Sequence, residues 1–119
     1  MKKPEALAAL AALAQDNRLD VFRLLVEAGP GGMPAGAVAV ALKLAPNTLT
    51  FHFDRLREAG LVTVRREGRS MIYSACFETM NVLLAYLTEN CCQGRPERCL
   101  PRRSRAPRSS PTRQKEQVS

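Results

Sequence analysis

Apolar residues recur along most of the chain at spacings of three and four, the period of amphipathic helices. This period predicts five helices, over residues 4–14, 17–28, 35–42, 46–59 and 77–89. The apolar face of the first helix is formed by Leu7, Leu10, Ala11 and Ala14. Asp16 is predicted to cap the second helix, which carries apolar residues nearly all round and should be the central, buried element.

Between the last two predicted helices the period changes to two. Val62 and Val64 alternate with polar residues, and a second β-rich run, residues 71–73, follows a turn that contains Gly68. Two such runs around a glycine predict a hairpin. Three helices, a short turn, a fourth helix, a hairpin and a C-terminal helix make a mainly α (α+β) fold, and this is the order of elements in a winged helix-turn-helix.

The charge of the chain is concentrated at its C-terminal end. The net charge is +7, yet residues 1–92 hold ten basic and nine acidic side chains, whereas residues 93–119 hold eight and two. We expect one folded domain over residues 1–92 and a basic tail over residues 93–119, which has too little apolar content to bury itself. A length of 119 residues excludes a two-domain enzyme with a cleft between its domains.

No apolar run reaches the roughly 18 residues that a membrane span needs. Lys2 and Lys3 precede an apolar run, as in a signal peptide, but that run is mostly alanine and has a helical period. We therefore expect a cytoplasmic protein whose four cysteines are reduced thiols.

Two segments of the second half resemble a known family. Residues 46–62, Pro-Asn-Thr-Leu-Thr-Phe-His-Phe-Asp-Arg-Leu-Arg-Glu-Ala-Gly-Leu-Val, resemble the recognition helix of the ArsR family of metal-sensing repressors, and residues 64–73 resemble its wing. The chain departs from the family pattern at Ala45, where a capping residue is expected, and at Phe51, a position that is often polar. The resemblance covers about residues 5–92 and implies a homodimeric, operator-binding repressor, not an enzyme.

The exposed side of the fourth helix supplies candidate contacts to DNA. Five residues are predicted to lie off its apolar stripe: Asn47, Thr48, Thr50, Phe51 and His52. Asparagine can bond bidentately to adenine, and phenylalanine or threonine can meet a thymine methyl group. The hairpin adds Arg65, Arg66 and Arg69, which suit contacts to phosphates or to the minor groove.

Each of these candidates has a structural alternative. Phe51 can instead pack sideways on the wing, and His52 can make a structural hydrogen bond at the helix surface. The arginines can belong to a solvated hairpin, although three arginines within five residues of a nearly neutral domain favour a role on DNA.

The first and last helices have apolar faces without an obvious partner in the chain beyond the second helix. A domain of about 92 residues with an aliphatic core buries a modest share of its surface. Pairing these two helices across a two-fold axis would bury both faces and place two recognition helices one DNA turn apart. The resemblance implies the same dimer.

Three of the four cysteines, Cys91, Cys92 and Cys99, lie within nine residues at the end of the last helix. Zinc normally takes four ligands, and the only histidine lies in the recognition helix. Three soft thiolates without a fourth ligand suit As(III) or Sb(III), which we predict as inducers, with no organic cofactor. The Cys91–Cys92 pair resembles a subgroup of ArsR-type arsenic sensors with a C-terminal site. Cys76 is predicted to be a small, partly buried residue.

The predicted function is a dimeric repressor that releases its operator when trivalent arsenic or antimony binds these three thiols. A thiol redox or persulfide switch on the same fold stays open as an alternative. A metal-buffering protein, which would not bind DNA specifically, is a rival of another class. An arsenate-reducing enzyme would need an oxyanion-binding loop before a nucleophilic cysteine, and no glycine-rich segment precedes any cysteine.

Overall fold

The computed structural model describes residues 1–90. Along these residues the elements are α1 (Lys3–Leu13), α2 (Asp16–Ala28), β1 (Met33–Pro34), α3 (Ala35–Leu42), α4 (Pro46–Glu58), β2 (Val62–Glu67), β3 (Ser70–Ala75) and α5 (Phe77–Leu87). All five predicted helices are confirmed, with ends that differ by at most two residues. The fold is a winged helix-turn-helix, mainly α, in which α3 and α4 form the helix-turn-helix and the β2–β3 hairpin forms the wing.

The second helix packs on α1, α3, α4 and β3, so its predicted central position is confirmed. Its buried side chains are Val21, Phe22 and Leu25. The predicted cap was wrong by one residue, because Gln15 and not Asp16 takes the extended N-cap conformation. The Gln15 side-chain oxygen accepts a hydrogen bond of 2.9 Å from the backbone N–H of Arg18, and Asp16 adds a carboxylate to the first turn, where the helix dipole favours it.

The first helix buries a different face from the predicted one. Its buried residues are Ala6, Ala9 and Ala12, whereas Leu7 and Leu10 are 55% and 39% exposed. The prediction took the largest apolar side chains as the buried ones. Alanines bring the backbone of α1 close to its neighbours α2 and α4, and the leucines are left on the outer surface of the protomer.

The sheet has three strands in the order β1-β3-β2, all antiparallel. The hairpin was predicted, but β1 was not. Its two residues pair with the middle of β3, Met33 opposite Tyr73 and Pro34 opposite Ile72. Gly32 makes this approach possible: it has a φ of +73°, and a Cβ there would collide with Ser74 and with the carbonyl oxygen of Tyr73.

The wing is anchored on the recognition helix by two stacked aromatic rings. Phe53 of α4 is 1% exposed, and its ring lies parallel to that of Tyr73 of β3 with 3.7 Å between centroids. Aromatic pairs of this kind stabilise a contact beyond the area they bury. This pair attaches the wing to α4 at the middle of β3, and the turn at Gly68 and Arg69 lies beyond it.

Candidate nucleic-acid interface

The recognition helix α4 begins without a side-chain cap. Ala45 takes the N-cap conformation and Pro46 occupies the first turn, where its missing N–H needs no partner. Two candidate residues bond to the backbone of this first turn: Asn47 Oδ1 accepts from the otherwise unpaired Thr48 N–H at 2.9 Å, and Thr50 Oγ1 donates to the Pro46 carbonyl at 3.0 Å. Both residues are exposed on the surface of α4, and the Asn47 amide NH₂ group and the Thr50 methyl group take no part in these two bonds.

Phe51 is half exposed and lies on the side of α4 that faces α1. It lines an open groove of about 540 Å³ together with Ala8, Ala11 and Ala12 of α1. The strand β2 flanks the other side of α4, so packing of Phe51 on the wing is wrong. The Arg55 guanidinium carbon lies 5.0 Å from the centre of the Phe51 ring, a cation–π contact across one helical turn. This contact holds the ring on the helix surface, where Phe51 stays 51% exposed.

His52 does not face outward, and its prediction as a DNA contact was wrong. Its side chain is 5% exposed and belongs to the buried stripe with Leu49, Phe53 and Leu56. Position 52 follows Leu49 by three residues and precedes Leu56 by four, so helical geometry puts all of them on one face. Burial lowers the pKa of His52, and the Arg18 guanidinium lowers it further. Its Nδ1 atom is buried without a hydrogen-bond partner among residues 1–90.

A buried neutral histidine makes stability depend on pH. As the pH falls below about 6.5, the unfolded chain takes up a proton that the folded chain binds only at lower pH, so the free energy of unfolding falls. We expect His52→Leu to remove this loss between pH 7.5 and pH 5. At pH 7.5 the variant should be at least as stable as the parent, because the unpaired buried nitrogen is gone. Urea unfolding followed by circular dichroism at both pH values measures the effect.

Thr48→Leu is the matched control, since Thr48 is exposed on the same helix and does not titrate. It should keep the pH dependence of the parent. A parent protein equally stable at both pH values, or a His52→Leu variant that still loses stability on acidification, would contradict the assignment. His52 is the single histidine of the chain, so no other imidazole complicates the comparison.

The wing arginines differ from one another in their surroundings. Arg66 Nε donates to the Gly68 carbonyl at 3.1 Å, and the rest of its guanidinium is exposed. Arg69 lies in the turn and makes no hydrogen bond or ion pair with any residue that the structure describes. Arg65 is held within the protein by three acceptors: Glu67 Oε2 at 2.7 Å, the Gly31 carbonyl at 2.8 Å and Ser74 Oγ at 3.5 Å.

The C-terminal half of α4 carries paired charges. Arg57 lies 3.9 Å from Asp54, and Arg55 lies 3.5 Å from Glu58. All four side chains are about half exposed or more, so the pairs contribute little to stability. These pairs leave the C-terminal half of the helix close to neutral. The N-terminal half has no charged side chains and lies next to the basic wing, so it is the part of α4 that offers hydrogen-bonding groups to a DNA groove.

The predicted thiol site at Cys91, Cys92 and Cys99 lies outside the described residues. Within residues 1–90 no three His, Cys, Asp or Glu side chains cluster as a metal site would require. Cys76 is partly buried, as predicted, and its Sγ lies 3.2 Å from Thr79 Oγ1. No helix in the described part of the chain is long and apolar enough to cross a membrane.

Sequence reasoning missed two parts of this surface. Arg55 follows Phe51 by four residues, a spacing that places two side chains together on a helix and could have revealed the cation–π pair. The contact of Arg65 with Gly31 joins residues 34 positions apart, and no local pattern carries that information.

Comparison with known proteins shows which proteins share this arrangement of helices and strands. A family model described as a helix-turn-helix domain matches residues 13–65. Over 73 residues the chain is 32% identical to the uncharacterized HTH-type transcriptional regulator YceK of Bacillus subtilis, a match that covers 61% of this chain and 72% of that protein.

Two solved structures are similar over most of their length. One is the homodimeric winged helix-turn-helix DNA-binding domain of Mb0332 from Mycobacterium bovis, described as a possible ArsR-family regulator. It has a TM-score of 0.60 and 26% identity, and the match covers 79% of this chain and 84% of that one. The other is described as a possible transcriptional regulator for arsenical resistance, with a TM-score of 0.58, 26% identity and coverage of 66% and 79%. The chain therefore belongs to the helix-turn-helix transcriptional regulators of the ArsR family.

Proposed function

We propose that this regulator is a homodimeric repressor that binds a two-fold symmetric operator and releases it when As(III) or Sb(III) binds Cys91, Cys92 and Cys99. The observation that carries the DNA-binding part is the uncharged, hydrogen-bonding N-terminal half of α4 beside the exposed arginines of the wing. An α-helix fits the major groove, where base edges are distinguishable, and arginines on an adjacent hairpin suit phosphates.

The exposed apolar surface supports the dimer. Leu7 and Leu10 of α1 and Val82 and Leu87 of α5 are each exposed by more than a third, and α1 and α5 contact each other in the protomer. A second copy that covers this α1/α5 surface would remove the leucines from water, at about 25 cal/mol for each Å² of apolar area. Mb0332, one of the similar structures, is homodimeric.

The inducer part of the proposal rests on position and on sulfur chemistry. Helix α5 ends at Leu87, and Cys91 follows four residues later. A metalloid bound there would act directly on the end of a dimerisation helix, and a changed dimer geometry changes the distance between the two copies of α4. Metalloid affinity and operator affinity would then be coupled in both directions. The similar protein described for arsenical resistance supports this choice of inducer.

A thiol redox switch is the second candidate, favoured by the two adjacent cysteines Cys91 and Cys92. It uses the same operator-binding form and differs only in the signal. Release of DNA by arsenite under reducing conditions supports the metalloid proposal. Release by peroxide alone, with no response to arsenite, supports the redox switch.

The test of the proposed function is a footprint of the reduced protein on operator DNA, with and without arsenite. We expect protection of a dyad-symmetric site with half-sites about one helical turn apart, and loss of protection on addition of arsenite. Asn47→Ala should relax discrimination at one base pair of each half-site by about 1–3 kcal/mol. Thr50→Ser keeps the hydroxyl that bonds Pro46 and removes only the side-chain methyl group. It should alter the base preference only at a position where that methyl group contacts the methyl group of a thymine.

Arg66→Gln is the control for sequence preference, because a phosphate contact carries no base information. It should weaken binding to all sequences alike. An unsymmetric footprint, or a footprint that Asn47→Ala and Thr50→Ser leave unchanged in sequence preference, would contradict the proposed role of α4.

A further inference from the structure

Arg65 is the most firmly held of the three wing arginines. Its guanidinium donates from Nε to Glu67 and from Nη2 to the Gly31 carbonyl, and its Nη1 lies 3.5 Å from Ser74 Oγ. Ser74 is 8% exposed and its hydroxyl lies 3.4 Å from the Pro30 carbonyl, so it belongs to the same cluster of hydrogen bonds. The charge of Arg65 is compensated by the Glu67 carboxylate at 2.7 Å.

The register of the hairpin places Arg65 on the face of the wing opposite the recognition helix. Residues paired across antiparallel strands share a face, and successive residues alternate between faces. Val64 pairs with Tyr73, whose ring stacks on Phe53 of α4, so this pair marks the α4 face. Arg65 pairs with Ile72 on the other face, and Arg66 returns to the α4 face opposite Met71.

The base of the wing is therefore held from two sides. On one side Tyr73 stacks on the recognition helix; on the other, Arg65 and Ser74 bind the loop between α2 and β1 through Gly31 and Pro30. That loop follows directly from the central helix α2. The pairing of β1 with β3 also holds the sheet at this level, and the bonds of Arg65 extend the attachment along β2 to within two residues of its end at Glu67.

We propose that Arg65 is a positioning residue of the DNA interface, which sets the wing at the angle where Arg66 and Arg69 reach the phosphates, and that it does not itself contact DNA. The proposal rests on the proposed operator binding and adds a division of labour among the three wing arginines. Arg65 uses three of its five guanidinium N–H groups within the protein. A phosphate that approached the remaining two would also approach the Glu67 carboxylate, which lies 2.7 Å from Arg65 Nε and would repel it.

The test compares Arg65→Lys with Arg69→Lys and Arg69→Gln in operator titrations over a range of salt concentrations. Lysine keeps the charge but cannot bond three acceptors in the plane of a guanidinium. We expect Arg65→Lys to weaken operator binding about tenfold, the size of one missing charge-assisted hydrogen bond. It should also reduce the slope of log K against log salt although lysine keeps the charge, because the displaced wing no longer carries Arg69 to its phosphate. Arg69→Gln removes that contact directly and should reduce the slope by roughly 2 for the dimer, about 0.9 for each phosphate that is no longer neutralised.

Arg69→Lys is the matched control, since a lysine can replace an arginine as a point charge on a phosphate. It should bind nearly as the parent does. A double variant, Arg65→Lys with Arg69→Gln, should lose less than the product of the two single losses, because a displaced wing no longer carries Arg69 to its phosphate. If Arg65 and Arg69 contacted DNA independently, the two fold-losses of affinity would multiply, and that result would overturn the proposal.

Ser74→Ala is a milder variant that weakens the same attachment without altering charge. It should lower both the operator affinity and the salt slope in the same direction as Arg65→Lys but by less, with an intact thermal transition. Parent-like binding by Arg65→Lys, or weaker binding by it with the salt slope of the parent, would refute the positioning role. Failure of the parent protein to protect any symmetric site would instead refute the proposed function.

Discussion

Glutamate in place of both Leu7 and Leu87 is expected to convert the dimer into monomers and to weaken operator binding by about 10²- to 10⁴-fold. The two leucines are 55% and 54% exposed on α1 and α5, and the proposed dimer would bury them against a second copy. Four carboxylates in such an interface would lose hydration without gaining partners. A monomer binds one half-site only, and the loss of the linked second site accounts for the size of the effect.

Sedimentation equilibrium of the variant and titration of its operator measure the two consequences separately. Val40→Gln is the control, because Val40 is an exposed apolar residue, 79% accessible, on α3 and away from the α1/α5 surface. It should remain dimeric, and its thermal transition should match that of the parent. A Leu7→Glu, Leu87→Glu variant that still sediments as a dimer would show that the two copies meet through another surface.

The sequence predicted the elements of this fold better than the faces they bury. The recognition helix and α2 have strong local signals: Pro46 at the start of one, Gly-Pro-Gly-Gly after the end of the other, and regular apolar spacing in the recognition helix. The predicted buried face of α1 was wrong because the prediction placed the largest apolar side chains inside. Close helix packing favours alanines, and only the tertiary arrangement decides which of two apolar faces is used.

The candidate site shows the same division between local and distant information. The outward position of Asn47, Thr48, Thr50 and Phe51 follows from the helical period, and the structure leaves all four exposed. The prediction that His52 faces DNA was wrong because it relied on the polar character of histidine, although the spacing from Leu49 and Leu56 puts His52 on the buried stripe. The strand β1 and the hydrogen bond between Arg65 and Gly31 depend on pairing with β3, which lies almost 40 residues away along the chain.

The second large effect is the loss of operator release when a cysteine of the proposed site is replaced, and it follows from the valence of arsenic. Inorganic As(III) can bond three thiolates, whereas a singly methylated As(III) has only two bonds left for the protein. In the proposed site Cys91 and Cys92 are adjacent, and Cys99 joins them by closing a short loop, whose entropic cost grows only slowly with length. Cys91→Ser or Cys92→Ser should therefore abolish release of the operator by both forms of arsenic.

Cys99→Ser separates the two forms of arsenic. It should weaken the response to arsenite and antimonite strongly but leave much of any response to the methylated form. Cys76→Ser is the matched control, because the Cys76 thiol is partly buried and 3.2 Å from the Thr79 hydroxyl, an interaction that a serine can also make. All four variants should bind the operator as the parent does when no metalloid is present. The measurement is arsenite titration of preformed complexes with operator DNA. If Cys76→Ser abolishes release while Cys99→Ser behaves as the parent, the three-thiol site is wrong. A site that joins Cys76 to the pair Cys91 and Cys92 would then replace it.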